Sequence, residues 1–231
     1  MKRLILLVSV VSIVAIFVNV QKARAVDDVT STKHNILNVV ALDPGYYTGT
    51  VAAYGEVCVF CHTPHNSNSA ATDAPLWNRN VNTAGYTPYD SPTIDTGPIG
   101  QPTGVSVACL SCHDGTIGLD VVVNQPGSAG DTGGIATSGM LMRDTSDANF
   151  NPRLTQVLSD DHPVSMQYPT AAQDPMFNAI ASASTAGLRF FGGGLDEVQC
   201  ASCHNPHEAT NEKFLRLANT NSDLCKTCHI K

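Results

Sequence analysis

The stretch GEVCVFCHTPHNS, residues 55–67, places Cys58 and Cys61 three apart, His62 directly after them and a second histidine, His65, three residues further on. The chain has eight cysteines, which fall as Cys58/Cys61, Cys109/Cys112, Cys200/Cys203 and Cys225/Cys228. Every pair is followed at once by a histidine: His62, His113, His204 and His229. C-x-x-C-H is the attachment pattern of c-type haem, in which two thiols add to the porphyrin vinyl groups and the adjacent imidazole reaches the iron from one face. Zinc knuckles, redox dithiols and disulfide loops also use C-x-x-C, but none of them needs histidine at the fifth position. With 8 histidines among 231 residues, four such coincidences arise by chance with a probability on the order of 10⁻⁶. The pattern predicts four covalently attached haem c groups, with the eight cysteines binding cofactor and the four adjacent histidines as proximal iron ligands.

Four histidines remain: His34, His65, His162 and His207. They match in number the second axial positions of four irons, and two neutral imidazoles give a six-coordinate iron with no open position for a small molecule. His65 cannot serve the iron that His62 holds, because the porphyrin lies between its two axial faces and three residues of chain cannot pass round its edge. The device recurs in CASCHNPH, where His204 and His207 have the same spacing and Pro64 and Pro206 hold the preceding turns. A histidine pair on one short segment, each bound to a different iron, forces two haems close together. On a larger scale, His34, the doublet at 58–65 and the motif at 109–113 are echoed by His162, the doublet at 200–207 and the motif at 225–229. Two di-haem halves are expected, about 26–130 and 140–231, with a soft boundary between Asn124 and Gly139.

The chain opens MKRLILLVSVVSIVAIFVNVQKARA, with Lys2 and Arg3, an apolar run from Leu4 to Val18, then Ala23-Arg24-Ala25. This is the pattern of a secretory signal peptide over residues 1–25, too short in its apolar run to span a bilayer and ending in a small-residue cleavage site. The mature protein, residues 26–231, is expected to be exported, with no membrane span. Loss of Lys2, Arg3, Lys22 and Arg24 takes the formal charge from −7 to −11. That acidity argues against nucleic acid as a partner. Some of the remaining arginines are expected to pair with haem propionates, the others to sit solvated at the surface.

One Trp, seven Phe and many Gly and Pro residues make a thin ordinary core, so porphyrins would supply the buried apolar surface and the crosslinks. The expected fold is mostly irregular coil with a few short helices, organised around a packed haem chain. Residues 85–104 and 124–139 read as loops because Gly and Pro break both periodicities. Helices are expected at SDLCKTCH with Ser222 as cap and around DPMFNAIASAS with Asp174 as cap and Pro175 in the first turn, and LDVVV, residues 119–123, reads as a short strand. Trp77 and the tyrosines at 46, 47, 54, 86, 89 and 168 are expected to pack on haem faces or edges. Asp160 and Asp161 are candidates to orient His162, as is a backbone carbonyl. GDTGG is too short for a calcium loop.

Closely packed, coordinatively saturated haems imply electron transfer, since the cofactor performs the redox chemistry and the protein fixes distances and potentials. The competing class is a multihaem small-molecule reductase, which needs an iron with an open face; no lysine replaces a proximal histidine and no catalytic residue is visible. Met140, Met142, Met166 and Met176 are rival axial ligands, read here as packing because four histidines already fill the positions. Bis-histidine ligation favours a low-potential carrier.

The series HNIL, CVFCHTPH, PLWNR, CLSCHDGT, DDHPVS, CASCHNPH, FLR and LCKTCH resembles the multihaem cytochromes with doubled CxxCH motifs over most of the mature chain, and more narrowly the extracellular tetrahaem cytochrome nanowires. The resemblance implies a bis-histidine haem chain of alternating stacked and T-shaped pairs, and polymerisation into a filament that carries electrons to minerals or other extracellular acceptors. It also implies that a histidine of one subunit ligates a haem of the next. Other redox cytochromes are the expected exchange partners. The doubled motifs are shared with periplasmic and outer-membrane relatives that do not polymerise, so a monomeric periplasmic or secreted shuttle is the alternative.

Two features are compatible with polymerisation independently of the resemblance. The last motif ends two residues before Lys231, and His34 sits on an N-terminal arm. Both are subunit-contact candidates in a head-to-tail homopolymer. His34 is the candidate for donation in trans; the other reading binds it in cis to the haem at Cys58/Cys61.

Overall fold

The computed structural model describes residues 29–36, 56–125, 141–142 and 151–230. The signal segment, most of the Asn124–Gly139 boundary, Tyr46, Tyr47, Tyr54 and Met140 lie outside them. In chain order the regular elements are a 3-10 turn at Val57–Phe60, α1 (Gly104–His113), β1 (Met166–Gln167), α2 (Ile180–Ala186), β2 (Glu197–Val198), α3 (Cys200–Cys203) and α4 (Asp223–Cys228), with further 3-10 turns at Val29–Ser31, Glu212–Phe214 and Thr220–Ser222. β1 and β2 form a two-residue antiparallel ladder, Met166 opposite Val198 and Gln167 opposite Glu197. The fold is coil-rich, as the composition predicts.

All four C-x-x-C-H motifs sit on helical turns, and helical geometry explains why. Residues i, i+3 and i+4 share one helix face, so both thiols and the imidazole project to the same side. In three motifs the histidine N–H closes this turn by donating to the carbonyl of the first cysteine: His62 to Cys58 at 2.8 Å, His204 to Cys200 at 3.1 Å and His229 to Cys225 at 2.9 Å. The fourth lies in the last turn and a half of α1.

Three sequence expectations are corrected in detail. LDVVV is a turn rather than a strand: Val121 N–H donates to Gly118 O, Val123 N–H to Asn78 O, and the Leu119 carbonyl is taken by Arg79. Asp174 does not cap a helix, because its carboxylate captures the nearby Met176 N–H at 2.8 Å and α2 starts at Ile180. Ser222 does precede α4, but in a left-handed conformation (φ 63°) with no side-chain cap bond.

Apolar packing is sparse and split. Phe60 and Val122 pack with Ile36 and Val59, and Leu119 with Met142, Ile36 and Cys112. A third cluster joins Tyr168, Ala183, Leu188 and Phe190 with Phe177, Ile180, Val198, Leu217, Leu224 and Cys228. Tyr168 packs edge-to-face on Phe177 and Phe190, and its hydroxyl donates to Asn178 O. Met142 is buried and serves packing; Met176 is part exposed.

Polar knots do much of the rest. Arg79 is fully buried, its Nη1 donating to Leu119 O at 2.7 Å and its Nη2 to Gly118 O at 2.6 Å and Ser111 O at 3.3 Å. Asn78 donates to Val59 O and Asn124 O and accepts from Asn124 N–H. Gln199 ties α1 to α3: its Oε1 accepts from the Ser106 hydroxyl and N–H and from the Ser165 hydroxyl, while its Nε2 donates to Glu197. Cys200 N–H donates back to the Ser106 hydroxyl at 3.0 Å. Gly104 has φ +54° and faces the Gln199 amide so closely that a Cβ there would lie 3.3 Å from its Nε2. Gln199→Leu keeps the volume and strands three donors, so a loss of roughly 1–3 kcal/mol is expected in denaturant unfolding; an unchanged midpoint would show that water replaces the amide at no cost.

Candidate haem-binding sites

A metal-ligating imidazole needs one nitrogen free and the other held. Five of the candidate histidines meet this through Nδ1 hydrogen bonds to backbone carbonyls: His62 to Pro75 O (2.7 Å), His113 to Pro152 O (2.7 Å), His34 to Pro206 O (2.8 Å), His204 to Lys213 O (2.8 Å) and His162 to Pro163 O (2.9 Å). A carbonyl only accepts, so each Nδ1 carries the proton and each Nε2 presents its lone pair. Four of the five carbonyls belong to prolines. For His162 the orienting group is therefore the Pro163 carbonyl; Asp160 and Asp161 stand beside it without that role.

The spacing between rings is the second observation. A metal-bound imidazole nitrogen lies about 2.0–2.1 Å from a first-row metal such as zinc and roughly 1.1 Å from its own ring centre, so two imidazoles on opposite faces of one metal have centres about 6.2–6.4 Å apart. His34 and His113 are 6.2 Å apart, His62 and His207 6.2 Å, and His162 and His229 6.4 Å. Each pair joins one attachment histidine to one spare histidine. The interplanar angles differ: 87° for His34/His113, 26° for His62/His207 and 64° for His162/His229.

Within the chain, His34 thus faces His113, the histidine of the Cys109/Cys112 motif, rather than His62. His65 and His204 are the two rings left after these pairs, and both are exposed. They sit on the same two loops as His62 and His207.

Protonation is consistent with ligation. Burial, followed by the neighbouring His113 ring, lowers the His34 pKa to about 4, and burial also lowers that of His113. Both are therefore neutral at pH 7, the form that donates a lone pair to a metal. Among the described residues no cluster of three or more His, Cys, Asp or Glu side chains forms a protein-only metal site, and all eight cysteines are free. Opposed imidazole pairs beside paired thiols fit a haem iron better than zinc.

The surroundings also suit a porphyrin. A cavity of about 210 Å³ opens beside Cys200, Cys203 and His204 and is walled by Leu110, Leu154 and Leu158 among others. Tyr89 lines it, whereas Tyr86 donates its hydroxyl to Asp114, which directly follows His113. The attachment cysteines lie within electrostatic reach of one another: Cys61 of Cys112, Cys109 of Cys200, and Cys203 of Cys228 and Cys225.

Sequence reasoning singled out all eight histidines, and a backbone carbonyl as one candidate to orient His162, but not the particular residues that hold the rings. The proline carbonyls carried a visible signal, since Pro163 and Pro206 directly neighbour candidate ligands. Arg79 and Gln199 carried none.

The family model for the doubled CXXCH motif matches residues 193–231, which include the motifs at 200–204 and 225–229. No curated protein matches the chain. The matched segment supports a multihaem c-type cytochrome with covalently bound haem and a part in electron transfer.

Proposed function

We propose that the chain is an exported tetrahaem, bis-histidine c-type cytochrome that transfers electrons and carries out no catalysis of its own. The observation that carries this reading is the set of three opposed imidazole pairs at 6.2–6.4 Å, each joining an attachment motif to a distant histidine. When bound, each haem iron cycles between ferric and ferrous by one electron. The protein's part is to hold Nε2 of each histidine toward the iron through Nδ1, to keep the imidazoles neutral and to fill both axial positions. The proximity of the attachment cysteines supports the order 58/61, 109/112, 200/203, 225/228 for the proposed haem chain.

The further proposal is a head-to-tail homopolymer, an extracellular conductive filament that delivers electrons to external acceptors such as metal oxides. Its support here is the arm at 29–36, which places His34 on Pro206, His113 and Phe214 and Ile36 on the two small apolar clusters. An arm exchanged between copies would make the same contacts in trans, and an exchange that does not close yields a fibre. A monomeric periplasmic or secreted shuttle is the alternative.

His34→Ala tests both levels at once. Loss of filaments in negative-stain electron microscopy, with haem content kept and one haem turned high-spin, is the expected outcome. Intact filaments would sink exchange in trans, and an all-low-spin spectrum would sink His34 as a ligand.

A further inference from the structure

Two nitrogen donors beside the first attachment site are buried without an acceptor: Trp77 Nε1 and Arg79 Nε. More than nine in ten buried polar groups in folded proteins have a partner, and a donor left without one costs roughly 1–3 kcal/mol. Two such donors two residues apart call for a common cause.

Their placement supplies one. The segment around Trp77 runs antiparallel to the motif, with Trp77 bridged opposite His62, Thr63 N–H donating to Leu76 O at 2.9 Å and Asn78 N–H donating to Cys61 O at 2.8 Å. Directly opposed residues of an antiparallel pair project to the same face, and so do residues two apart. Trp77 therefore shares its face with His62, whose ring it meets edge-on at 6.0 Å, and Arg79 follows on that face. Both donors thus belong to the segment that pairs with the attachment motif at Cys58–His62.

Arg79 adds an electrostatic argument. It is a fully buried cation whose three hydrogen-bond acceptors are neutral carbonyls, and a buried charge is costly until it meets an opposite one. The strong acceptors of a haem are its two propionates, which are anionic. We infer that Trp77 Nε1 and Arg79 Nε form a carboxylate-binding site that takes a propionate of the haem held by Cys58 and Cys61. The inference rests on the haem-binding reading above. It assigns Arg79 two tasks, since Nη1 and Nη2 hold the loop at 118–119 and the helix end at Ser111, leaving Nε for the cofactor. The WNR segment would then bind the cofactor at its acidic edge while Pro75, just upstream, orients its iron ligand.

Trp77 is the only tryptophan, so the ultraviolet resonance Raman band of its indole N–H reads this one site in the haem-loaded protein. A strongly hydrogen-bonded indole is expected in the wild type, with that bond weakened or lost in Cys58→Ala/Cys61→Ala, which lacks only this haem. A free indole in the loaded wild type overturns the assignment, and so does an equally bonded indole in both proteins, which would place the acceptor elsewhere. As a second reading that spares the attachment site, Trp77→Phe is expected to shift the propionate-bending band of one haem in visible resonance Raman; an unchanged band overturns the role of Trp77. Haem content, counted as the pyridine haemochrome, separates the two levels. A chain without covalent haem fails the functional reading and this assignment together, whereas a fully loaded chain with a free indole fails the assignment alone.

Discussion

Replacing Arg79 by methionine is expected to lower stability by roughly 3–5 kcal/mol, since three buried carbonyls lose their donor at roughly 1–3 kcal/mol each. Methionine approximates the length of the side chain but donates nothing. The carbonyls of Leu119 and Ser111, both at 0% exposure, and of buried Gly118 would lose a partner. Because Ser111 lies between Cys109 and Cys112, the damage would spread into the second attachment site. Lysine should recover only part of the loss, since one ammonium cannot replace the planar fork that spans acceptors on two segments. Urea unfolding of the haem-loaded protein, followed by circular dichroism, measures the effect. A loss below about 1 kcal/mol would mean that water enters and satisfies the carbonyls.

The second large effect concerns ligation. His207→Ala should convert one of the haems from low-spin to high-spin, because His207 is the ring opposed to His62 at 6.2 Å. The side chain is exposed, so little stability should be lost and the spectral change should stand clear of misfolding. The affected haem can be identified by genetics. Combined with Cys58→Ala/Cys61→Ala the high-spin signal should vanish, because the haem that lost its ligand is no longer attached; combined with Cys225→Ala/Cys228→Ala it should persist. The reverse pattern would assign His207 to another iron.

How much of this was legible in the sequence depends on the range of the interaction. C-x-x-C-H is readable because attachment chemistry and one helical turn fix its spacing, and the structure puts all four motifs on such turns. The coil-rich fold followed from Gly and Pro. The ligand pairings were not readable: His34 meets the Pro206 carbonyl across 172 positions, and no local periodicity encodes such a contact. LDVVV had the composition of a strand, yet Arg79 took the Leu119 carbonyl and Asn78 the Val123 N–H, leaving no ladder to join. Asp174 had the identity of a cap, but an acceptor two residues from Met176 N–H was satisfied by a tight turn first. Helix α1 was missed because its inward face is Gly104, Ser106, Ala108 and Ser111, together with Leu110. Small residues there let α3 approach and give little hydrophobic amplitude.

The most direct test of the paired-imidazole account is low-temperature electron paramagnetic resonance of the fully oxidised, haem-loaded protein. Near-parallel imidazoles separate the two iron d orbitals that bond to them, whereas near-perpendicular ones leave those orbitals almost degenerate and make the ferric signal strongly anisotropic. For the three paired irons the account predicts low-spin ferric haem, with a rhombic signal from His62/His207 at 26° and a highly anisotropic one from His34/His113 at 87°. Axial high-spin intensity from two or more haems, or four identical rhombic signals, would contradict it.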